Sequence, residues 1–183
     1  MKLPSSSTYA FWLAIFRIYT GAFWLMHGIP KFTHGQDFMP PTGMMTGFIN
    51  NAITHTSGPY QWFLTNIVLQ NASLFAELVR LGEVVTGLLL ILGLFTRAGA
   101  VIGILLSLNY LTASGDLAHL TVLLSGLNSA ALMLSLINLV LPTGRILGID
   151  GLLARSKGSG TPGGQQAVFV DEPPMRGPTA PTS

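Results

Sequence analysis

Apolar residues in this chain come in long runs, without the strict alternation of half-buried strands or the one-sided stripe of a soluble helix. The first run, YAFWLAIFRIYTGAFWLMHGIPKF, covers about 9–32. It is too long for the apolar segment of a secretory leader and lacks a small-residue cleavage site after it, so it predicts a membrane span. Three further runs, at about 74–95, 98–113 and 119–141, are of similar character. Ser73 is the expected N-cap of the second, and Thr96 to Gly99 read as the tight turn into the third. Ser114, Gly115 and Asp116 break the pattern before the fourth, which Pro142, Thr143 and Gly144 end.

The stretch 33–73 mixes His34, Gln36, Asp37, Pro40, Pro41, Asn50, Asn51 and His55 with scattered apolar residues, and is too polar to span. It reads as an extramembrane loop. Within it, YQWFLTNIVL from Tyr60 to Leu69 fits a short helix, either lying in the membrane interface or packed as an ordinary loop helix. After the fourth run, RILGIDGLLARSK fits a short amphipathic piece at the membrane surface. Residues 156–183 are rich in Gly, Pro, Ser and Thr, with too little apolar surface to offset ordering entropy, so the expectation is a disordered tail. The predicted architecture is all-α: an integral membrane four-helix bundle over 1–155, with a tail.

Composition agrees with this reading. The chain is 49% hydrophobic and 9% charged, with mean hydropathy +0.55, where soluble domains carry about 25% charged residues. The net charge of +2 comes from few residues, which excludes the clustered basic patch of a nucleic-acid binder. The absence of cysteine removes disulfides, thiolate metal sites and persulfide chemistry. Lys2, Arg97, Arg145, Arg155 and Lys157 fall on one side of the predicted spans. The excess of basic residues on the cytoplasmic side of membrane proteins therefore puts both termini there.

Charges within spans cost about 2.5–3.5 kcal/mol each on insertion scales, so they are expected to face inward and to be paired. Arg17, Glu77, Arg80 and Glu83 need such an account. The three on the second span are three residues apart, so both carboxylates neighbour Arg80. Counted from the inner helix ends at about 1.5 Å per residue, Arg17, Glu83, Asn109 and Asn128 come out at roughly 12, 18, 16 and 20 Å. One mid-membrane polar layer of these four is expected, with Arg17 partnering Glu83. Such a layer either fixes helix register or meets a polar-headed lipophile such as a quinone. By the same count His27 and Glu77 are each roughly 27 Å from the inner boundary, with Lys31 nearby. The four histidines lack the close spacing of a metal site. Glycines at 82, 87, 93, 99 and 103, and Ser125, Gly126 and Ser129, offer small surfaces for close helix packing.

The segments RIYTGAFWLMHGIPKF and ELVRLGEVVTGLLLILGLFTRAGAVIGILLSLNYLTASG resemble the DoxX/DoxD family of small four-helix membrane proteins. The marks are Arg17, Gly21, Gly28 and Lys31, then Glu77, Gly82, Glu83, Gly87, Gly93, Thr96 and Arg97. The resemblance implies a membrane subunit of a quinone-linked oxidoreductase system in a bacterial-type inner membrane, since DoxD-like proteins include the small subunit of thiosulfate:quinone oxidoreductase. It also implies partner subunits or a homo-oligomer. On it, Arg17, Glu83, Asn109, Asn128 and His27 become the expected ligand-binding residues, supported by Glu77, Arg80 and Lys31. The alternative is a non-catalytic assembly subunit of a larger membrane complex, which the lack of a cysteine to carry sulfane sulfur favours.

Overall fold

A computed structural model describes residues 6–115, 126–141, 143–145 and 148–152. Every element among them is helical: α1 (Ser6–Gly28), α2 (Pro30–Thr33), α3 (Gly35–Phe38), α4 (Met44–His55), α5 (Gly58–Phe63), α6 (Ala72–Leu92), α7 (Thr96–Ala113) and α8 (Leu127–Val140). A π turn over Leu64–Val68 and a 3₁₀ turn over Leu69–Asn71 join α5 to α6, and a second 3₁₀ turn, Thr143–Arg145, follows α8. The first seven residues of the fourth predicted span, with His119, and the tail at 156–183 lie outside the described residues.

Four long helices form the body, with α1 along α6, α6 against α7 and α7 against α8, while α1 and α8 touch more sparingly. The α1–α6 approach is close because glycines meet there. A Cβ on Gly21 would come within 2.7 Å of Ile91 and 2.8 Å of the Gly87 carbonyl oxygen, and one on Gly87 within 2.6 Å of Leu25. Trp24, Leu90 and Ala131 make the buried centre of the body.

The helix boundaries differ from the sequence expectation at three places: the first run, expected as one helix over 9–32, divides into α1 and α2 between Gly28 and Pro30, and both ends of α6 shift. Helix α6 stops at Leu92, not Phe95, because Gly93 takes a left-handed conformation (φ 63°) and closes the helix. The amides of Gly93 and Leu94 then bond back to the carbonyls of Leu90 and Leu89. The turn is therefore Gly93–Phe95, and α7 begins at Thr96, two residues earlier than expected. At its other end α6 starts at Ala72 without a side-chain cap, so Ser73 sits inside the first turn and caps nothing.

Residues 33–73 build a small core of their own: Ile49, Ala52, Leu64 and Val68 are buried together and pack on Phe75 of α6 and Ala113 of α7. Leu64 and Val68 therefore belong to a packed helical cap, while Trp62 points outward, 61% exposed.

The distribution of polarity is inverted relative to a water-soluble bundle. Leu74, Leu78, Leu81, Val85, Leu88 and Leu92 form an exposed stripe down α6, at helical spacing. Arg17, Thr20, Glu83, Ser135 and Asn138 are buried inside. Among the described residues one helical run, Thr8–Thr33, is long and apolar enough to cross a membrane; α6 has the length but carries Glu77, Arg80 and Glu83.

The glycine contacts predict a graded response. Gly21→Val is expected to overpack the α1–α6 seam at a cost of about 1–3 kcal/mol, lowering Tm in detergent. Gly82→Ala adds a methyl 3.4 Å from the Leu106 side chain and is expected to leave Tm close to the parent. Thermal unfolding of the two purified variants checks the contrast.

Candidate functional site

The expected single polar layer separates into two clusters. The upper one is centred on Glu83, which is 1% exposed. Its partner is Lys31, whose Nζ lies 2.6 Å from both carboxylate oxygens. The Tyr110 hydroxyl donates to Glu83 Oε1 at 2.5 Å, and Lys31 Nζ also donates to the Tyr110 oxygen at 3.2 Å. The ammonium stands 5.3 Å from the Phe38 ring centre and 5.5 Å from that of Tyr110, so aromatic faces supply part of its solvation.

Local chain geometry explains how a residue beyond the end of α1 reaches mid-bundle. Gly28 has no side chain, and a Cβ there would lie 3.0 Å from the Glu83 Cβ. The end of α1 therefore rests directly on α6 beside the carboxylate. Pro30, at the start of α2, cannot donate a backbone hydrogen bond and begins a new short turn. Lys31 follows it, and its long stem returns the ammonium to Glu83.

A small cavity of about 30 Å³ adjoins this cluster, lined by Phe23, Trp24, His27, Glu83, Tyr110, Leu127, Asn128 and Ala131. It sits where α1 and α8 pack sparingly. That volume suits water, not an aromatic ring. His27 reaches its mouth, with Nδ1 2.8 Å from the Phe23 carbonyl oxygen and the two rings 4.4 Å apart.

The lower cluster holds Arg17, which does not partner Glu83. Its Nη1 donates to the Thr143 carbonyl at 2.8 Å, and the acid whose charge acts on it is Asp150. Asp150 in turn accepts from the amides of Phe95 at 2.8 Å and Thr96 at 3.0 Å, capping α7. A buried chain continues from there: Thr143 donates to Asn138, Asn138 donates to Thr20, and Thr20 donates to the Phe16 carbonyl. The depth count misplaced Arg17 because it assumed that α1 ends flush with the other helices. Gly93, the end of α6, lies against Arg17, since a Cβ there would be 2.5 Å from Nη1. Residues 6–16 of α1 therefore run on past the ends of its neighbours.

The remaining expectations divide. Asn128 and His27 line the cavity beside Glu83, whereas the Asn109 side chain is exposed and only its carbonyl is engaged, by Tyr60 at 3.4 Å. Arg80 is not bracketed by two acids. It makes a two-point pair with Glu77 and lies 4.4 Å over the Phe32 ring, since Lys31 already occupies Glu83. Glu77 is thus engaged by Arg80 and does not adjoin His27. Tyr110, Asn138 and Asp150 had no separate signal in the sequence: the first reads as an aromatic in an apolar run, the second as a packing asparagine and the third as surface. Among the described residues no three acidic or histidine side chains gather as metal ligands would.

A helical body with exposed leucines and the Lys31–Glu83 pair held inside suits a membrane protein. The DoxX family model matches residues 12–114, and the chain belongs to the DoxX family. Comparison with curated proteins and with solved structures gives no match.

Removing one member of the buried pair leaves the other charge unpartnered, at a cost of about 3–5 kcal/mol. Lys31→Met and Glu83→Gln are each expected to lower Tm strongly in detergent. The double variant, which leaves neither charge, is expected to recover much of the loss. Thermal unfolding of the three proteins checks the coupling.

Proposed function

We propose that this chain is the membrane subunit of a quinone-linked oxidoreductase system, crossing a bacterial-type inner membrane four times with both termini cytoplasmic. The observation that carries the reading is the Lys31–Glu83–Tyr110 cluster beside a cavity with aromatic walls, at the seam where α1 and α8 pack sparingly. The exposed leucine stripe of α6, with Arg17 and Glu83 buried, suits lipid, and the basic residues Arg97 and Arg145 lie at the end where α6 meets α7 and α8 ends.

The donor set suits the carbonyl or hydroxyl oxygen of a quinone headgroup, a group that would supply two-electron, two-proton redox chemistry. Tyr110 and Lys31 are the donors nearest Glu83, and the Asn128 amide and His27 ring stand at the cavity wall. Phe23 and Trp24 give the apolar face. At about 30 Å³ the cavity is smaller than such a ring, so binding requires the α1–α8 seam to widen. Arg17 and Asn109 have no part in this site. Arg17 instead fastens the far end of the bundle.

The size of that cavity supports a second reading: a non-catalytic assembly subunit whose ionic clusters only fix helix register, with neighbouring subunits or a second copy completing the complex. Purification from the membrane in mild detergent, with mass spectrometry of every retained protein and quinone, separates the two. The first reading predicts stoichiometric quinone, lost in Tyr110→Phe at normal protein yield. A constant set of larger subunits with no ligand on this chain overturns it in favour of the second.

A further inference from the structure

Between Asp37 and Glu77 the chain carries no Asp, Glu, Lys or Arg. A water-exposed segment of that length would have about ten charged residues at ordinary composition. The segment nevertheless folds into α4 and α5 with a core of its own, so it does not lack charge for want of structure. The absence of charge needs a different explanation from its surroundings.

Its contacts give its height. The inner reference is the Gly93–Thr96 turn, which lies level with Arg17, Thr143 and Asp150. At about 1.5 Å per residue, Phe75 and Ala113 are each about 26 Å above it, and Asn109 about 20 Å. The cap core packs on Phe75 and Ala113, and Tyr60 bonds to the Asn109 carbonyl. Phe38, which precedes α4, has its ring 5.3 Å from the Lys31 ammonium at the Glu83 pair. At the other end of α4, the His55 backbone adjoins Gly115, about 29 Å up. The hydrocarbon layer is about 30 Å thick. Helix α4 therefore lies against the outer ends of α6 and α7, with Phe38 next to the Lys31–Glu83 pair.

We propose that residues 38–71 form a re-entrant helical cap embedded in the outer half of the bilayer, its outward apolar side chains in contact with lipid acyl chains. The inference rests on the four-span reading above, and it replaces the extramembrane placement that the segment's polarity suggested. Phe48 and Trp62, each 61% exposed, and Met44 face outward from the cap. Four polar side chains of the cap are held locally, Thr54 and His55 by the Asn51 carbonyl, Gln61 by that of Ile53 and Asn66 by that of Trp62, while Asn50 and Gln70 are exposed. Irregular backbone at membrane depth is tolerated where protein covers it, as the cap core does for Leu64 and Val68. The cap also closes the Lys31–Glu83 pair from above, through Phe38.

Because the chain has no cysteine, single-cysteine spin labelling needs no prior replacement. Phe48→Cys, Trp62→Cys and, as a span control on α6, Leu88→Cys would be labelled in lipid nanodiscs and again in native membranes. Collision with oxygen, which enters lipid, is then compared with collision with a water-soluble nickel chelate. The proposal expects all three sites to favour oxygen several-fold. Nickel access at positions 48 and 62 with oxygen preference at 88 overturns the re-entrant cap and leaves the spans standing. Nickel access at 88 overturns the four-span reading itself. Exclusion of both reagents from 48 and 62 in native membranes, with 88 lipid-like, means a protein partner covers the cap and overturns the lipid assignment.

Discussion

A carboxylate in the middle of an apolar bundle cannot be left to itself, and much of this architecture follows from what Glu83 requires. Desolvating an ion pair is costly, and the cost is recovered only when geometry is tight and the remaining lone pairs are satisfied. Lys31 supplies the counter-charge to both oxygens and Tyr110 adds a hydrogen bond, from two different elements. Meeting that need demands that α1 end on α6 at Gly28, that α2 begin a new turn at Pro30, and that α7 present Tyr110 at the same level. Three elements are thereby fixed against α6 by one residue.

The opposite end obeys the same rule with different means. Arg17 is buried among backbone carbonyls and glycines, with the negative charge of Asp150, from the segment after α8, acting on it. That carboxylate also caps α7, so a single acid closes two separate needs, the guanidinium and the free amides at a helix start. Between the two ends, the Thr20–Asn138–Thr143 chain links α1 to α8. The bundle is thus fastened by charge at two levels about 15 Å apart along α6, with small residues between them letting α1 lie close.

Much of this was legible in the sequence. Long apolar runs gave the helices, and Arg17, Gly28, Lys31 and Glu83 carried the family resemblance that the match over 12–114 establishes. That Arg17 and Glu83 needed partners was also readable, from the cost of burying charge. The identity of the partners was not. Linear depth counting takes every helix to start at one plane, and α1 starts well below it, which moves Arg17 from mid-height to the bundle end. Lys31 lies at the far end of the first apolar run and returns by the reach of its side chain, a length that residue counting ignores. Asp150 is distant in sequence from Phe95 and Thr96, whose amide hydrogen bonds it accepts.

The central claim is that Lys31 and Glu83 are in direct contact inside the bundle. A lipophilic carbodiimide activates carboxyl groups and joins them, with no spacer, to an amine within bonding distance. Treating the protein in lipid nanodiscs and mapping products by peptide mass spectrometry tests the contact directly. The account predicts an amide joining the peptides that carry Lys31 and Glu83, absent from Glu83→Gln. Glu83 modified by reagent alone, or Lys31 joined to a different carboxylate, would contradict it.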